Sequence, residues 1–149
     1  MEMIVSACLA GRPCRYDGGH CRIEAIADLV RQGRALPVCP EVLGGLPVPR
    51  ETCEIREGPD GSARVISRGG RDLSAAFYRG AERTLRLAED NRITRAILKT
   101  RSPSCGFGMV YDGLFSGRLV PGHGITAALL QDRGIRIYTE TALPPELKQ

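Results

Sequence analysis

Met3-Ile4-Val5-Ser6-Ala7-Cys8-Leu9-Ala10-Gly11-Arg12-Pro13 is the stretch on which the reading of the fold turns. Its first residues are mostly apolar and too few for a helix, and Gly11 and Pro13 then interrupt any regular backbone. The segment reads as a buried strand that feeds a loop, with Cys8 just past the strand's end. From Ile23 onward, Ile26, Leu29 and Val30 recur at helical spacing, and Gly33 stands where a helix stop belongs. Ala35-Leu36-Pro37-Val38-Cys39 is then a second, short strand, which completes a βαβ unit.

Working outward, two polar-apolar segments at 54–57 and 62–67 flank Gly58-Pro59-Asp60-Gly61, whose residues suit a tight turn. An inserted β-hairpin is predicted there. After Gly69-Gly70, the residues Leu73, Phe77, Ala81, Leu85 and Ala88 form a long helical stripe, opened by Asp72 or Ser74 as cap and closed near Asn91. Ala96-Ile97-Leu98 is strand-like and runs into Arg101-Ser102-Pro103-Ser104-Cys105-Gly106, where Pro103 and Gly106 force irregular backbone. Ile125, Ala128 and Leu129 mark a short helix stopped by Gly134, and Ile135 to Tyr138 alternates as a last strand. Strands alternating with helices predict an α/β fold: an open, mainly parallel, Rossmann-like sheet with helices on both faces and the inserted hairpin. The whole chain, 1–149, is expected to form one domain.

Composition narrows the function classes. The apolar fraction of 42% is ordinary for a compact protein, and a net charge of +4 without a basic block gives no strong nucleic-acid signal. No apolar run is long enough to cross a bilayer, and no secretory signal follows Met1, so a soluble, cytoplasmic protein is expected. In a reducing cytoplasm the six cysteines read as free thiols, metal ligands or catalytic thiolates rather than disulfides.

In an open α/β sheet, the loops after the strands' carboxyl ends share one crevice, and ligands bind there. Cys8 follows the first strand, Cys39 ends the second and Cys105 lies in the loop after Ala96-Ile97-Leu98, so this topology delivers all three to one place. No Cys-x-x-Cys pair of the zinc-ribbon or thioredoxin kind is present. Three dispersed thiolates can hold a cubane 4Fe-4S cluster at three corners and leave the fourth iron open. Zinc remains an alternative, with Cys14, Cys21, His20 or His123 as a fourth ligand. Otherwise Cys14, Cys21 and Cys53 read as small buried apolar residues, and His123 as a surface residue between glycines.

The blocks that surround these cysteines carry a resemblance. Ser6-Ala7-Cys8-Leu9-Ala10-Gly11 with Arg15-Tyr16-Asp17-Gly18, Leu36-Pro37-Val38-Cys39-Pro40-Glu41 with Gly44-Gly45-Leu46-Pro47, and Ser102-Pro103-Ser104-Cys105-Gly106 with Tyr111-Asp112-Gly113 together resemble the thiouracil desulfidase family, formerly a bacterial domain of unknown function. The resemblance runs from about Ile4 to Tyr138. It implies a 4Fe-4S cluster on Cys8, Cys39 and Cys105, an open iron that takes the substrate's sulfur, a catalytic carboxylate at Glu41 and a catalytic hydroxyl at Ser102. The implied reaction is the non-redox, hydrolytic desulfuration of a small thiolated pyrimidine, thiouracil or thiouridine.

Glu41 fits a proton acceptor two residues from a ligand cysteine, and equally a salt-bridged or solvated surface residue. Ser102 could donate to a developing anion or hold water, while Ser104 reads as a loop hydroxyl. Tyr16 could stack on a pyrimidine and Asp17 could accept from its N–H groups; the alternative is an Asp-Gly turn beside a half-buried ring. Two other functions compete: a non-catalytic iron-sulfur or sulfur carrier, which needs the cysteines but neither Glu41 nor Ser102, and a zinc-binding structural module.

Overall fold

The structure is a computed structural model that describes residues 1–147. Its strands are β1 (Met3–Ser6), β2 (Ala35–Val38), β3 (Cys53–Glu57), β4 (Ala63–Ser67), β5 (Arg95–Leu98), β6 (Met109–Tyr111), β7 (Leu119–Pro121) and β8 (Arg136–Thr139). The helices are α1 (Glu24–Arg31), α2 (Pro40–Leu43), α3 (Ser74–Asp90) and α4 (Ile125–Asp132). Four strands pair in parallel in the order β2-β1-β5-β8. Because β2 lies on one side of β1 and β5 on the other, the strand order reverses beside β1, and a crevice opens at the carboxyl ends there.

Side-chain alternation along β1 assigns the two faces. Met3 and Val5 pack with Ile26 and Leu29 of α1, whereas Ile4 points the other way, toward Leu85 and Ala88 of α3 and Ala127 and Leu130 of α4. Both faces are thus covered, which is why β1 reads as a continuous apolar run rather than an alternating one. The α3 stripe behaves as its spacing predicts: Phe77, Ala81, Leu85 and Ala88 are buried. The N-cap position of α3 is Leu73 rather than Asp72 or Ser74, and no side chain caps the helix from it; Asp72, one residue further out, accepts from the Ser74 N–H at 2.9 Å, and the Ser74 hydroxyl accepts from the Val65 N–H at 2.8 Å. The inserted hairpin is β3–β4, closed by the Gly58 N–H on the Ser62 carbonyl, and its Val65 packs on Phe77 and Ile125.

Two elements go beyond the sequence reading. The β6–β7 hairpin has strands of three residues each, too short for an alternating pattern to stand out. Helix α2 has a single turn, started by Pro40, whose missing N–H is no loss at a first helical position. It lies almost directly on α3 through two glycines: a Cβ on Gly80 would come within 1.9 Å of the Pro40 carbonyl oxygen, and one on Gly44 within 2.1 Å of that of Ala76. Since both obstacles are backbone, Gly80→Ala is expected to lower stability by about 3 kcal/mol through overpacking. Denaturant unfolding with an unchanged slope and an earlier midpoint checks this; a midpoint equal to the parent's would mean that α2 can move aside freely.

Candidate active site at the carboxyl ends of the sheet

Three loops converge on one cavity of about 490 Å3. Cys8 sits in the short 3-10 turn Ala7–Ala10 directly after β1, and its carbonyl accepts from the Cys21 N–H at 2.9 Å. Cys39 joins β2 to α2. Cys105 ends the loop after β5, where its N–H donates to Ser102 Oγ at 2.7 Å. All three line the cavity, and so do Cys14 and Cys53. Cys21 lies behind this wall with Arg15 donating to its sulfur at 3.2 Å.

Burial sets the state of the thiols. Cys8 and Cys105 are both pushed up to about 12, chiefly by burial, so a thiolate at either position needs a bound cation opposite it. Cys39 is held below the usual cysteine range because Cys14 hydrogen-bonds to its sulfur and the Val42 N–H adds a second bond, while the same bond raises Cys14. Cys53 is raised to about 11 by burial and by the nearby carboxylates of Glu41 and Glu51. Among the described residues no three His, Cys, Asp or Glu side chains are grouped to hold a single metal ion. Soft thiols spread around one cavity suit a larger, iron-sulfur group better, and Cys8, Cys39 and Cys105 are among the five lining cysteines that could hold it.

Beside the thiols lies a buried polar chain. Glu41, with its side chain 13% exposed, accepts from Arg50 Nε at 2.9 Å on Oε1 and from the Ser104 hydroxyl at 2.7 Å on Oε2. Ser104 Oγ lies 3.2 Å from Ser102 Oγ. Arg50 also donates to the carbonyls of Pro47 and Cys14, so one guanidinium ties the carboxylate to the loop that carries Cys14. Arg101, which precedes Ser102 and also lines the cavity, sits at φ 72 in the left-handed region. Lys99 also lines the cavity and pairs with Glu140 at 2.8 Å, while Glu140 accepts from the Thr100 N–H and hydroxyl.

Of the sequence-predicted site residues, Cys8, Cys39, Cys105, Glu41, Ser102 and Tyr16 line the cavity. Asp17 does not: it is exposed, and its carboxylate accepts from the Gly19 N–H at 2.8 Å within its own turn. Glu41 is salt-bridged, but in the interior rather than at the surface. Ser104, read from sequence as a plain loop hydroxyl, is the partner of Glu41, and Arg50 carried no local signal at all. Neither histidine is among the lining residues. His20 is exposed and accepts from the Arg22 N–H, while His123 stacks on Phe107 at 4.5 Å and accepts from the Gly108 N–H. A zinc site that draws on a histidine therefore has no support in the geometry.

A parallel α/β sheet with thiols, a buried carboxylate and hydroxyls gathered around a cavity at its carboxyl edge has the layout of an α/β enzyme. The chain belongs to the 2-thiouracil desulfurase family, whose model matches residues 3–142. It is 42% identical over 146 residues to a Bacillus subtilis (strain 168) protein named uncharacterized protein YbbK, covering 95% of this chain and 97% of that one. A solved structure, the [4Fe-4S]-dependent thiouracil desulfidase TudS, is 47% identical and superposes with a TM-score of 0.89 over 98% of this chain and 94% of its own.

Proposed function

We propose that this enzyme removes sulfur from a small thiolated pyrimidine of the thiouracil or thiouridine type, by hydrolysis and without net electron transfer. The cofactor is a 4Fe-4S cluster held by Cys8, Cys39 and Cys105. The observation that carries the reading is the meeting, in one cavity, of thiols from three strand ends with the chain Glu41–Ser104–Ser102.

Bound to the three thiolates, the cluster supplies a soft Lewis acid at an iron free of protein ligation, suited to a thiocarbonyl sulfur. The proton chemistry falls to the chain. A water must lose a proton as it attacks the ring carbon, and a ring nitrogen must gain one as sulfur departs. Because the Ser104 hydroxyl donates to Glu41, Ser102 is left to donate to Ser104, and its own oxygen accepts from the Cys105 N–H. A proton taken from the cavity at Ser102 can thus pass through Ser104 to Glu41 and return by the same path. Arg50 keeps the carboxylate at the end of this path and out of solvent. Tyr16, in the cavity wall, has a ring suited to the pyrimidine's face, whereas Asp17 would reach a substrate N–H only by leaving Gly19.

Ser104→Ala cuts the path while leaving every cysteine in place. Turnover is expected to fall by about tenfold with iron and sulfide contents unchanged. Parent-level turnover in this variant would mean that Glu41 works without Ser104.

The test of the function itself is protein purified without oxygen. It should be brown, and it should convert 2-thiouracil to uracil with release of sulfide, followed by loss of the thiocarbonyl absorption. Exposure to air should remove activity in step with the visible absorption. Full turnover by bleached, zinc-loaded protein would overturn the iron-sulfur reading, and brown protein that carries sulfur without releasing uracil would make the chain a carrier.

A further inference from the structure

The inserted β3–β4 hairpin does more than cover α3. It holds the tip of the β6–β7 hairpin, and Glu54 is the centre of that hold. Glu54 is only 9% exposed, and its Oε1 accepts from the Gly113 N–H at 2.9 Å and the Phe115 N–H at 3.1 Å. Arg56 donates to the Gly113 carbonyl. Gly113 itself, at φ 88, lies so close to β3 that a Cβ would come within 2.5 Å of the Ile55 carbonyl oxygen. Within the turn, Asp112 accepts from the Leu114 N–H and the Ser116 hydroxyl.

These bonds leave Phe115 at φ 54, in the left-handed region that a bulky side chain rarely adopts and that persists only where the surroundings enforce it. The enforced turn separates two neighbouring apolar residues. Leu114 is left 72% exposed, whereas Phe115 is turned in, half-buried, and lines the cavity. The exposed Arg68 lies over its ring, 5.0 Å from the centroid. Tyr16, by contrast, is 40% exposed. What the buried carboxylate and the strained backbone accomplish together is to fix one aromatic ring in the wall of the cavity.

We infer that Phe115, which shares the cavity wall with Arg68, is the platform for the pyrimidine ring of the substrate, and that Glu54 is the residue that positions it. This rests on the pyrimidine reading above but not on the desulfuration chemistry. A ring held in place before binding loses little freedom when the substrate stacks on it, and stacking on an aromatic face accepts any planar base. Specificity for a flat heterocycle follows, and the sulfur is left to be recognised elsewhere in the cavity.

The probe is uracil, which has no sulfur for iron to bind, so its affinity reports the ring seat alone. Equilibrium dialysis is carried out on anaerobically purified protein, with 2-thiouracil turnover, cluster absorption and melting temperature followed on the same samples. Phe115→Leu is expected to weaken uracil binding by about tenfold and to raise KM for 2-thiouracil similarly while kcat and absorption hold, the size of one lost base stack. Phe115→Tyr, which keeps the ring, should restore binding. Glu54→Ala should weaken uracil with Phe115 still present, and Glu54→Gln, whose carbonyl can accept both N–H bonds, should restore it. Uracil bound by Phe115→Leu as by the parent, or losses that only follow a lowered melting temperature, would overturn the inference. So would a parent protein that does not bind uracil. A parent that binds uracil through Phe115 yet leaves 2-thiouracil intact would overturn the proposed function and leave the platform standing.

Discussion

Cys8→Ala, Cys39→Ala and Cys105→Ala are each expected to yield colourless protein with iron and sulfide near zero, whereas Cys14→Ala, Cys21→Ala and Cys53→Ala should stay brown. The asymmetry follows from where the thiols sit. Cys8, Cys39 and Cys105 come from three different strand ends, and a cubane left with two thiolates is poorly retained. Cys14 is the sharpest control, since it shares the cavity and hydrogen-bonds to Cys39. Iron and sulfide counts on the six variants decide the matter. A cluster retained in Cys39→Ala and lost in Cys14→Ala would exchange the roles of the two, and one retained in Cys8→Ala or Cys105→Ala would remove that residue from the ligand set.

Glu41→Gln is expected to lower turnover by about a hundredfold or more with the cluster intact, because an amide keeps the size of the carboxylate but accepts no proton. The interior position of Glu41 adds a second expectation. Arg50, with its side chain only 6% exposed, loses its counter-charge, although Gln can still accept the hydrogen bond from Nε. Leaving a buried cation with only neutral partners should cost about 2 kcal/mol of stability. The melting temperature should therefore fall while the protein remains folded at the assay temperature. Anaerobic turnover and iron content measured on the same sample separate the two effects. Parent-rate hydrolysis with a full cluster would reduce Glu41 to an anchor for Arg50, and the proton path through Ser104 and Ser102 would lose its terminus.

The four-stranded sheet and its covering helices were readable in the chain because they rest on local periodicity. Met3 to Val5, buried on both faces, is apolar throughout; Phe77, Ala81, Leu85 and Ala88 recur at the helical period; the Gly58–Gly61 segment has turn chemistry written into it. The placing of Cys8, Cys39 and Cys105 followed from the same reading, since the loop after a parallel strand must emerge at the sheet's carboxyl edge. Strands β6 and β7 were not readable, because three residues carry too little pattern and their stability comes from pairing with each other and from the grip of β3. The partners of Glu41, Arg50 and Ser104, were not readable either.

By itself, then, the amino-acid sequence determined the layer architecture and the edge of the sheet at which the thiols emerge, because both depend on which residues are apolar and at what spacing. Only the tertiary structure decided the company that each polar group keeps. Ser104 meets Glu41 across 63 residues of chain, and Gly113 meets Glu54 across 59. Such partners are chosen by the need of a buried carboxylate for hydrogen bonds in three dimensions, and that need leaves no period in the sequence.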